Sequence, residues 1–126
     1  MTPKDEAMMK LIAAALGFVV LAGPAGAAGD AARGAALFQS HCAMCHAPES
    51  GAAPSLVGVV GRKAGTLPGF AYSPAMKHSG LIWTSANLDA FLDDPGKKVP
   101  GTMMMIPGPE PAERADIIAY LATLHP

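Results

Sequence analysis

The pentapeptide Cys42-Ala43-Met44-Cys45-His46 constrains this chain more than any other stretch. It holds both cysteines of the sequence, and a histidine directly follows the second one. Two thiols at this spacing can add to the vinyl groups of haem as thioethers, which places the histidine beneath the iron as an axial ligand. We therefore predict one covalently bound haem, attached through Cys42 and Cys45, with His46 as the proximal iron ligand.

Two other uses of a cysteine pair compete with this prediction. A thioredoxin-like dithiol would lie in a βαβ unit at the start of a catalytic helix, whereas the residues before Cys42 are rich in alanine and typical of a helix. A structural zinc site needs four ligands, and His41, His78 and His125 supply no second ligand pair of the usual spacing. Haem is the favoured interpretation, and the dithiol and zinc sites stay open as alternatives.

The N-terminal part of the sequence is typical of a secretory signal peptide. An apolar run at residues 11–21 is followed by small residues that fit a signal peptidase site. The run is shorter than the roughly 20 residues that a transmembrane helix needs. We predict that residues 1–28 are a leader cleaved after Ala27 or Ala28, with an uncleaved anchor as the alternative. The chain is therefore expected in the periplasm, an oxidising compartment where free thiols form disulfides.

The predicted leader begins with an unusual charge pattern. Asp5 and Glu6 precede the apolar run, although this part of a signal peptide is normally basic. Initiation at Met8 or Met9 would leave Lys10 as the only charged residue before the run. We therefore expect the true start at one of these two methionines.

Residues 29–126 are predicted to form one small all-α domain. Asp30 is placed to cap a helix that ends as the cysteine motif begins, and Pro111 to start a C-terminal helix. Between them, Thr84 or Ser85 can cap a further helix with apolar side chains three and four residues apart. We expect three to four main helices and no sheet. The formal net charge of −1 gives no reason to expect a nucleic acid partner.

Long loops separate the predicted helices. Residues 47–79 are rich in Gly, Pro, Ser and Ala, and a second loop follows Pro95-Gly96, which is predicted to end the central helix. A loop of this length is unusual in a small domain unless a function orders it. We expect both loops to wrap around the haem.

Methionine is the candidate for the second axial ligand. Residues 103–105 are three consecutive methionines, and three adjacent side chains cannot all face the core of a regular element. A thioether sulfur is a soft ligand that raises the reduction potential of haem iron. Because a bound methionine also closes the position where oxygen or peroxide would bind, this choice separates electron carriers from haem enzymes.

Further blocks occur in a characteristic order along residues 29–126. They are Gly34, Phe38, 42–46, 61–65, 68–73, Trp83, 99–104 and 113–121. In these blocks the chain resembles class I cytochrome c, and most closely its mitochondrial-like soluble bacterial members. The resemblance implies a small class I cytochrome c fold around one covalent haem. It also implies that Gly34, Phe38 and Tyr120 form the contact between the first and last helices.

The resemblance implies two iron ligands, His46 on one side of the haem and Met104 on the other. Met103 and Met105 are then flanking residues. It further implies that the carbonyl of Pro54 accepts the other ring N–H of His46 and thereby fixes the orientation of the ring.

By the same resemblance, four residues hold the buried propionate end of the haem. They are Arg62, Tyr72, Trp83 and Thr102. A buried carboxylate needs hydrogen-bond donors and preferably a positive charge, so these residue types suit that role. Ordinary core positions for the two aromatic residues, and a solvated turn for Arg62, are the alternatives.

The sequence departs from the family pattern in three places. The loop between His46 and Pro54 is shorter, and Phe91 stands where the family commonly has a tyrosine near the methionine ligand. The family's ring of lysines around the haem edge is sparse here. We expect Phe91 to affect the reduction potential, because a hydrogen bond near the sulfur is missing. We expect weak electrostatic steering and docking through apolar side chains next to Met104.

The resemblance implies a periplasmic one-electron carrier, and not an enzyme, whose iron cycles between the ferrous and ferric states. We expect a monomer whose partners are redox proteins, such as a quinol-oxidising complex, a terminal oxidase, a photosynthetic reaction centre or a periplasmic dehydrogenase. Contact with a membrane would occur only through such complexes. The alternative is a haem enzyme or gas sensor in which Met104 is a labile ligand, although the sequence shows no distal acid–base group in its favour.

Overall fold

The structure, a computed structural model, describes residues 29–126 and the isolated positions 17 and 19. The predicted signal peptide, its cleavage site and the start at Met8 or Met9 lie outside the described residues and stay predictions. Within the described part, no helix is both long enough and apolar enough to cross a membrane.

Six helices, α1 to α6, make up the regular structure of the described residues. In chain order they are α1 at Ala31–His41, α2 at Ala43–His46, α3 at Pro74–Lys77, α4 at Ser85–Asp93, α5 at Pro95–Lys98 and α6 at Pro111–Leu121. Three are main helices and three are single turns. One isolated antiparallel bridge joins Lys63 to Ile82, and residues 29–126 contain no strand. The predicted all-α fold with three to four main helices is confirmed.

Local capping signals set where the main helices begin. The carboxylate of Asp30 accepts the N–H of Arg33 at 3.0 Å and caps α1. The hydroxyl of Thr84 accepts the N–H of Asn87 at 3.1 Å and caps α4. Pro111 occupies the first turn of α6, where its missing N–H costs nothing. These predicted helix starts are confirmed, with the threonine serving as the cap of α4.

The predicted loops contain two short helices that their composition does not indicate. Pro95-Gly96 follows the end of α4 as predicted, but Pro95 also begins α5, which the carboxylate of Asp94 caps. In the stretch 47–79, the hydroxyl of Ser73 caps α3, which again begins with a proline. A capping side chain directly before proline is a local signal for a helix start. The loops are therefore more ordered than their composition indicates.

Helices α1 and α6 cross at close range. Gly34 is buried in α1, where a Cβ would overlap the carbonyl of Asp116 and approach the Cβ of Tyr120 to 2.8 Å. The rings of Phe38 and Tyr120 pack with their centroids 5.4 Å apart. The missing side chain at Gly34 therefore lets the two helix backbones approach, and the helix contact that the resemblance implies is present.

Buried charged groups fasten α6 to its neighbours. The buried carboxylate of Asp116 accepts the backbone N–H of Asp30 at 2.7 Å and the Nε–H of Arg33 at 3.2 Å. The buried guanidinium of Arg114 donates to Asp89 in α4 at 2.9 Å. This hydrogen bond raises the pKa of Arg114 above its ordinary value, so the group stays charged. Side-chain hydrogen bonds thus join α6 to the start of α1 and to α4.

The core lies between these helices and the loops. The inward face of α6 is buried at Ile117, Ile118 and Leu121, while Tyr120 is half-buried. Leu124, beyond the end of α6, is also half-buried. The other buried apolar residues are Phe38, Val59, Ala64, Trp83, Leu88, Phe91, Leu92 and Val99.

Candidate functional site

The two cysteines lie on one helical turn directly after α1. The N–H of Cys42 donates to the carbonyl of Phe38 at 2.8 Å, and the Cys42 carbonyl accepts the N–H groups of Cys45 and His46 at 3.2 and 2.9 Å. Cys42 is half-buried, Cys45 is exposed, and both thiols are free. Residues three apart on a helix share one face, so both thiols can reach a single group beside this turn.

Neither competing use of the cysteine pair gains support. Burial raises the pKa of the Cys42 thiol, whereas a redox dithiol needs a lowered pKa and a thiolate. Across residues 29–126 there is no βαβ unit. The same part of the chain contains no group of three or more His, Cys, Asp or Glu side chains placed to hold a metal ion, so four zinc ligands are not assembled.

The ring of His46 is fixed by a backbone carbonyl. Its Nδ1 lies 2.8 Å from the oxygen of Pro54. Because a carbonyl oxygen can only accept, Nδ1 carries the proton in this contact and Nε2 is left unprotonated in the neutral ring. An unprotonated Nε2 is the form that binds a metal, and a carbonyl partner on Nδ1 is the usual way to orient such a ligand. The contact that the resemblance implies for Pro54 is present.

Met104 is the member of the methionine triplet that packs against the core. It is half-buried, whereas Met103 and Met105 are strongly exposed. The hydroxyl of the buried Thr102 accepts the N–H of Met104 at 3.3 Å. Before it, Gly101 turns the chain with a φ of +89°, a conformation that favours glycine. The expectation that three adjacent methionines point in different directions is confirmed.

Arg62 is held by two carbonyl groups and retains one buried donor. Its Nη1 donates to the carbonyl of Val57 at 3.0 Å and its Nη2 to that of Ser55 at 3.1 Å. The Nε–H is buried and has no partner among the described residues. A buried donor without a partner costs roughly 1–3 kcal/mol, so this atom needs an acceptor that the polypeptide does not supply. Arg62 is therefore not part of a solvated turn, which was the alternative prediction for it, because its guanidinium is bound by carbonyls and partly buried.

The structure brings Arg62 and Trp83 together through their backbones. The N–H of Trp83 donates to the carbonyl of Arg62, and the N–H of Gly61 donates to the carbonyl of Trp83, both at 2.9 Å. The Trp83 ring is buried against Phe91, with centroids 5.1 Å apart. These contacts fix the buried tryptophan beside the arginine that keeps a free donor.

Tyr72 and Thr102 are positioned by separate contacts. Tyr72 is half-buried and packs edge-on against Phe70, with ring centroids 5.0 Å apart. Thr102 follows Gly101, where a Cβ would lie 3.1 Å from the Cβ of Ala75 in α3. Neither side chain hydrogen-bonds Arg62 or Trp83 among the bonds of the described residues. Of the four residues predicted to hold the propionates, Arg62 and Trp83 are therefore hydrogen-bonded to each other. Tyr72 and Thr102 are positioned by other neighbours.

Several contacts around the site have no signal in the sequence. The backbone carbonyls of Ser55 and Val57 bind Arg62, and any residue type could supply them. An open cavity of about 530 Å³ beside His46 is lined by apolar and polar residues that include Leu56, Leu124 and Glu49. Its walls come from distant parts of the sequence, so no local motif marks them.

The residues of this site fit a covalently bound haem. Two free thiols share one helical turn, and the Nε2 of His46 is available to a metal. A half-buried thioether lies at Met104, and a buried cationic donor at Arg62 suits a carboxylate. Thiol, imidazole, thioether and guanidinium are together the donor set that a haem with two propionates requires.

Comparisons with known proteins agree with this fit. A family model described as cytochrome c matches residues 31–125. Cytochrome c2 of Rhodomicrobium vannielii is 48% identical over 104 residues, which cover 79% of this chain and 82% of the relative. Cytochrome c of Tetrahymena pyriformis is 52% identical over 99 residues, covering 76% and 90% of the two chains. The solved structure of cytochrome cH from Methylobacterium extorquens has a TM-score of 0.71 at 52% identity, over 75% of this chain and 99% of that one.

Proposed function

This chain belongs to the cytochrome c family and carries haem c on Cys42 and Cys45, and from that premise we propose that it is a periplasmic one-electron carrier with His46 and Met104 as its iron ligands. Its class, a haem-based electron carrier, follows from the family. When bound, haem supplies one-electron chemistry, because its iron is stable in both the ferrous and the ferric state. The residues of the chain determine how that iron is held and what can reach it.

The proximal assignment to His46 is supported by its fixed tautomer. The bond between Nδ1 and the Pro54 carbonyl orients the ring and directs Nε2 away from that carbonyl. The same bond increases the basicity of the ring, which strengthens its bond to a metal. His46 also follows Cys45 within one helical turn, so the thioether and the ligand are held by the same short segment.

The placement of Met104 is the single observation that carries the electron-carrier proposal. This thioether packs against the core while both neighbouring methionines face solvent. The bond from its N–H to Thr102 fixes the backbone at this position. A methionine bound here would exclude oxygen and peroxide from the iron, and it would raise the reduction potential. Both effects suit electron carriage.

The propionate end is assigned to Arg62, Tyr72, Trp83 and Thr102. The buried, unpartnered Nε–H of Arg62 is the main support, because a propionate carboxylate is the acceptor it lacks. Trp83 is buried next to it, and Thr102 is buried in the loop that carries Met104. Charge-assisted donors of this kind allow a carboxylate to stay ionised away from water.

The periplasmic location rests on the predicted leader at residues 1–28. The proposed partners are redox proteins that lie in or face that compartment, such as a quinol-oxidising complex, a terminal oxidase, a reaction centre or a periplasmic dehydrogenase. We propose that the chain acts as a monomer and reaches the membrane only through them. The intact mass of the native protein tests the leader, since retention of residues 1–28 would contradict a freely diffusing carrier.

The ligand assignment is tested by replacing each methionine of the triplet in turn. Met104→Ala is expected to abolish the weak ferric absorption band that arises from methionine sulfur bound to iron, and to lower the reduction potential. Met103→Ala and Met105→Ala are the matched controls and should retain the band. Loss of the band in Met105→Ala but not in Met104→Ala would contradict the assignment. No such band in the unmodified protein would favour a haem enzyme or gas sensor.

A further inference from the structure

Four large apolar side chains are strongly exposed next to the proposed iron ligands. Met44 is 89% exposed, Met103 79%, Met105 67% and Ile106 70%. We refer to these four residues as the methionine rim. Single exposed apolar residues are ordinary, but a group of them within two short segments is characteristic of a binding surface.

The two segments of the methionine rim lie at one edge of the site if His46 and Met104 bind the same iron. Met44 stands between the two cysteines, and the other three members surround or follow Met104. Cys45 is exposed and Cys42 is half-buried, so a haem held by both thiols would be accessible to solvent beside Cys45. An electron would therefore leave the molecule where Met44 is exposed. This step rests on the proposed function.

The charged groups around the methionine rim are few and of both signs. Residues 42–48 and 99–109 contain no Lys, Arg, Asp or Glu. Glu49 lines the same cavity as Met44, and Lys97 and Lys98 of α5 line a surface depression together with Asp94. Steering of a charged partner needs a surface of one sign. The rim therefore matches a partner surface that is also uncharged.

We propose that the methionine rim is the docking surface for a redox protein whose contact face is apolar and uncharged. Methionine side chains are flexible and polarizable, so they pack well against surfaces of differing shape. Four side chains offer far less than the roughly 800 Å² per partner of a stable complex. The contact is brief, which suits a carrier that must leave after each transfer. Its strength does not depend on ionic strength.

Protein-film voltammetry on coated gold electrodes tests this preference. The holoprotein is adsorbed on methyl-terminated and on carboxylate-terminated alkanethiol monolayers, and the coverage is measured from about 10 to 500 mM NaCl, where screening becomes nearly complete. Coverage on the methyl surface is expected to be higher and to change less than about twofold with salt. Higher coverage on the carboxylate surface that falls with salt would overturn the proposal.

Charged substitutions show whether the methionine rim makes the contact. Met44→Glu and Met105→Glu, in different segments, should each lower coverage on the methyl surface by about tenfold. Ile82→Glu replaces another exposed apolar residue, outside the rim, and should leave coverage unchanged. Equal losses in all three variants would overturn the proposal, as would a concentration-dependent dimer that Met105→Glu abolishes.

The ferric methionine band separates this proposal from the proposed function. A variant that keeps the band has an intact iron site, so a change in its adsorption reports on the surface alone. If the unmodified protein lacks the band, the ligand assignment has failed. If the band is present and adsorption is driven by charge, only the docking proposal has failed.

Discussion

The crossing of α1 and α6 and the loop that carries Met104 are held in different ways. At the crossing, backbones touch at Gly34, and the buried carboxylate of Asp116 accepts two hydrogen bonds from the start of α1. In the loop at residues 99–109, the contacts are fewer, such as the 2.6 Å bond from the N–H of Gly108 to the carbonyl of Leu92. Much of its apolar surface faces solvent.

This difference separates the part of the molecule that specifies the fold from the part that completes the site. None of the contacts at the crossing named above involves Met104, so the stability of the crossing should depend little on that side chain. Val99 and Thr102 are buried, but most other residues of the loop are exposed, and local openings of lowest free energy are found in such segments. If Met104 binds the iron as proposed, that bond would supply much of the order of this loop.

Gly34→Ala should produce the largest loss of stability. The new Cβ would overlap the carbonyl of Asp116, and neither helix backbone can move without disturbing the core. We expect the free energy of unfolding to fall by about 3 kcal/mol, the upper part of the range for overpacked sites. Urea unfolding of the holoprotein, followed by circular dichroism, measures this change.

Gly96→Ala is the matched control for this substitution. A Cβ at Gly96 would meet the methyl group of Met105 at 3.6 Å, which is an ordinary contact. Its effect should stay within about 0.5 kcal/mol. If Gly34→Ala and Gly96→Ala lowered the free energy of unfolding equally, the helix crossing would tolerate an added side chain as well as α5 does.

Asp116→Ala should have the next largest effect. Removal of the carboxylate leaves the backbone N–H of Asp30 without its buried partner, and we expect a loss of about 2 kcal/mol. Arg33→Ala removes only the partly exposed ion pair with Asp116 and should cost less than about 1 kcal/mol. Thermal or urea unfolding compares the two. A larger loss for Arg33→Ala would show that the ion pair, and not the backbone bond, fastens α1.

Met104→Ala should loosen the loop without affecting the crossing. If Met104 binds the iron as proposed, we expect amide hydrogen exchange at residues 99–109 to become about tenfold faster, because the segment would open locally without that bond. Exchange in α1 and α6 should stay the same. Hydrogen exchange followed by mass spectrometry of peptides resolves these regions. Equal acceleration in α1 would mean that the two regions unfold together, and the comparison would fail.

The smallest expected effect is the pH dependence of the start of α1. The backbone N–H of Arg33 lowers the pKa of the Asp30 carboxyl below its ordinary value of 3.8. The unfolded chain therefore binds this proton more readily than the folded chain. The contribution of Asp30 is complete above pH 3.8 and is lost as the pH falls through the lowered pKa.

Titration of the Asp30 carboxyl group by NMR measures this shift directly. Arg33→Ala serves as a control because it retains the backbone N–H that Asp30 accepts, so most of the shift should remain. A pKa at or above the ordinary value in the unmodified protein would contradict the cap seen in the structure.

Features that depend on neighbouring residues were predictable from the sequence. The cap at Asp30 and the proline start of α6 follow from local hydrogen bonding, and the cysteine motif places two thiols on one turn. The capped turns α3 and α5 carried the same kind of signal, but the glycine and proline around them indicated loop instead. The loop-like composition of these long stretches outweighed the local capping signals within them.

Features that depend on distant backbone atoms were not predictable in this way. The carbonyls of Ser55 and Val57 that hold Arg62 are backbone groups present in every residue, so no side chain identifies them. A glycine inside a predicted helix already indicated a close packing contact at Gly34, and the family resemblance gave Tyr120 as a partner. The physical reason for this glycine, the overlap with the Asp116 carbonyl, required the structure.

The most direct test of the account is exposure of the ferrous holoprotein to carbon monoxide during an anaerobic redox titration. If His46 and Met104 both bind the iron, the ferric methionine band is present, the potential is high, and carbon monoxide leaves the ferrous spectrum unchanged. If the band is absent and carbon monoxide binds readily, Met104 is not a stable ligand. The electron-carrier proposal would then give way to a haem enzyme or gas sensor.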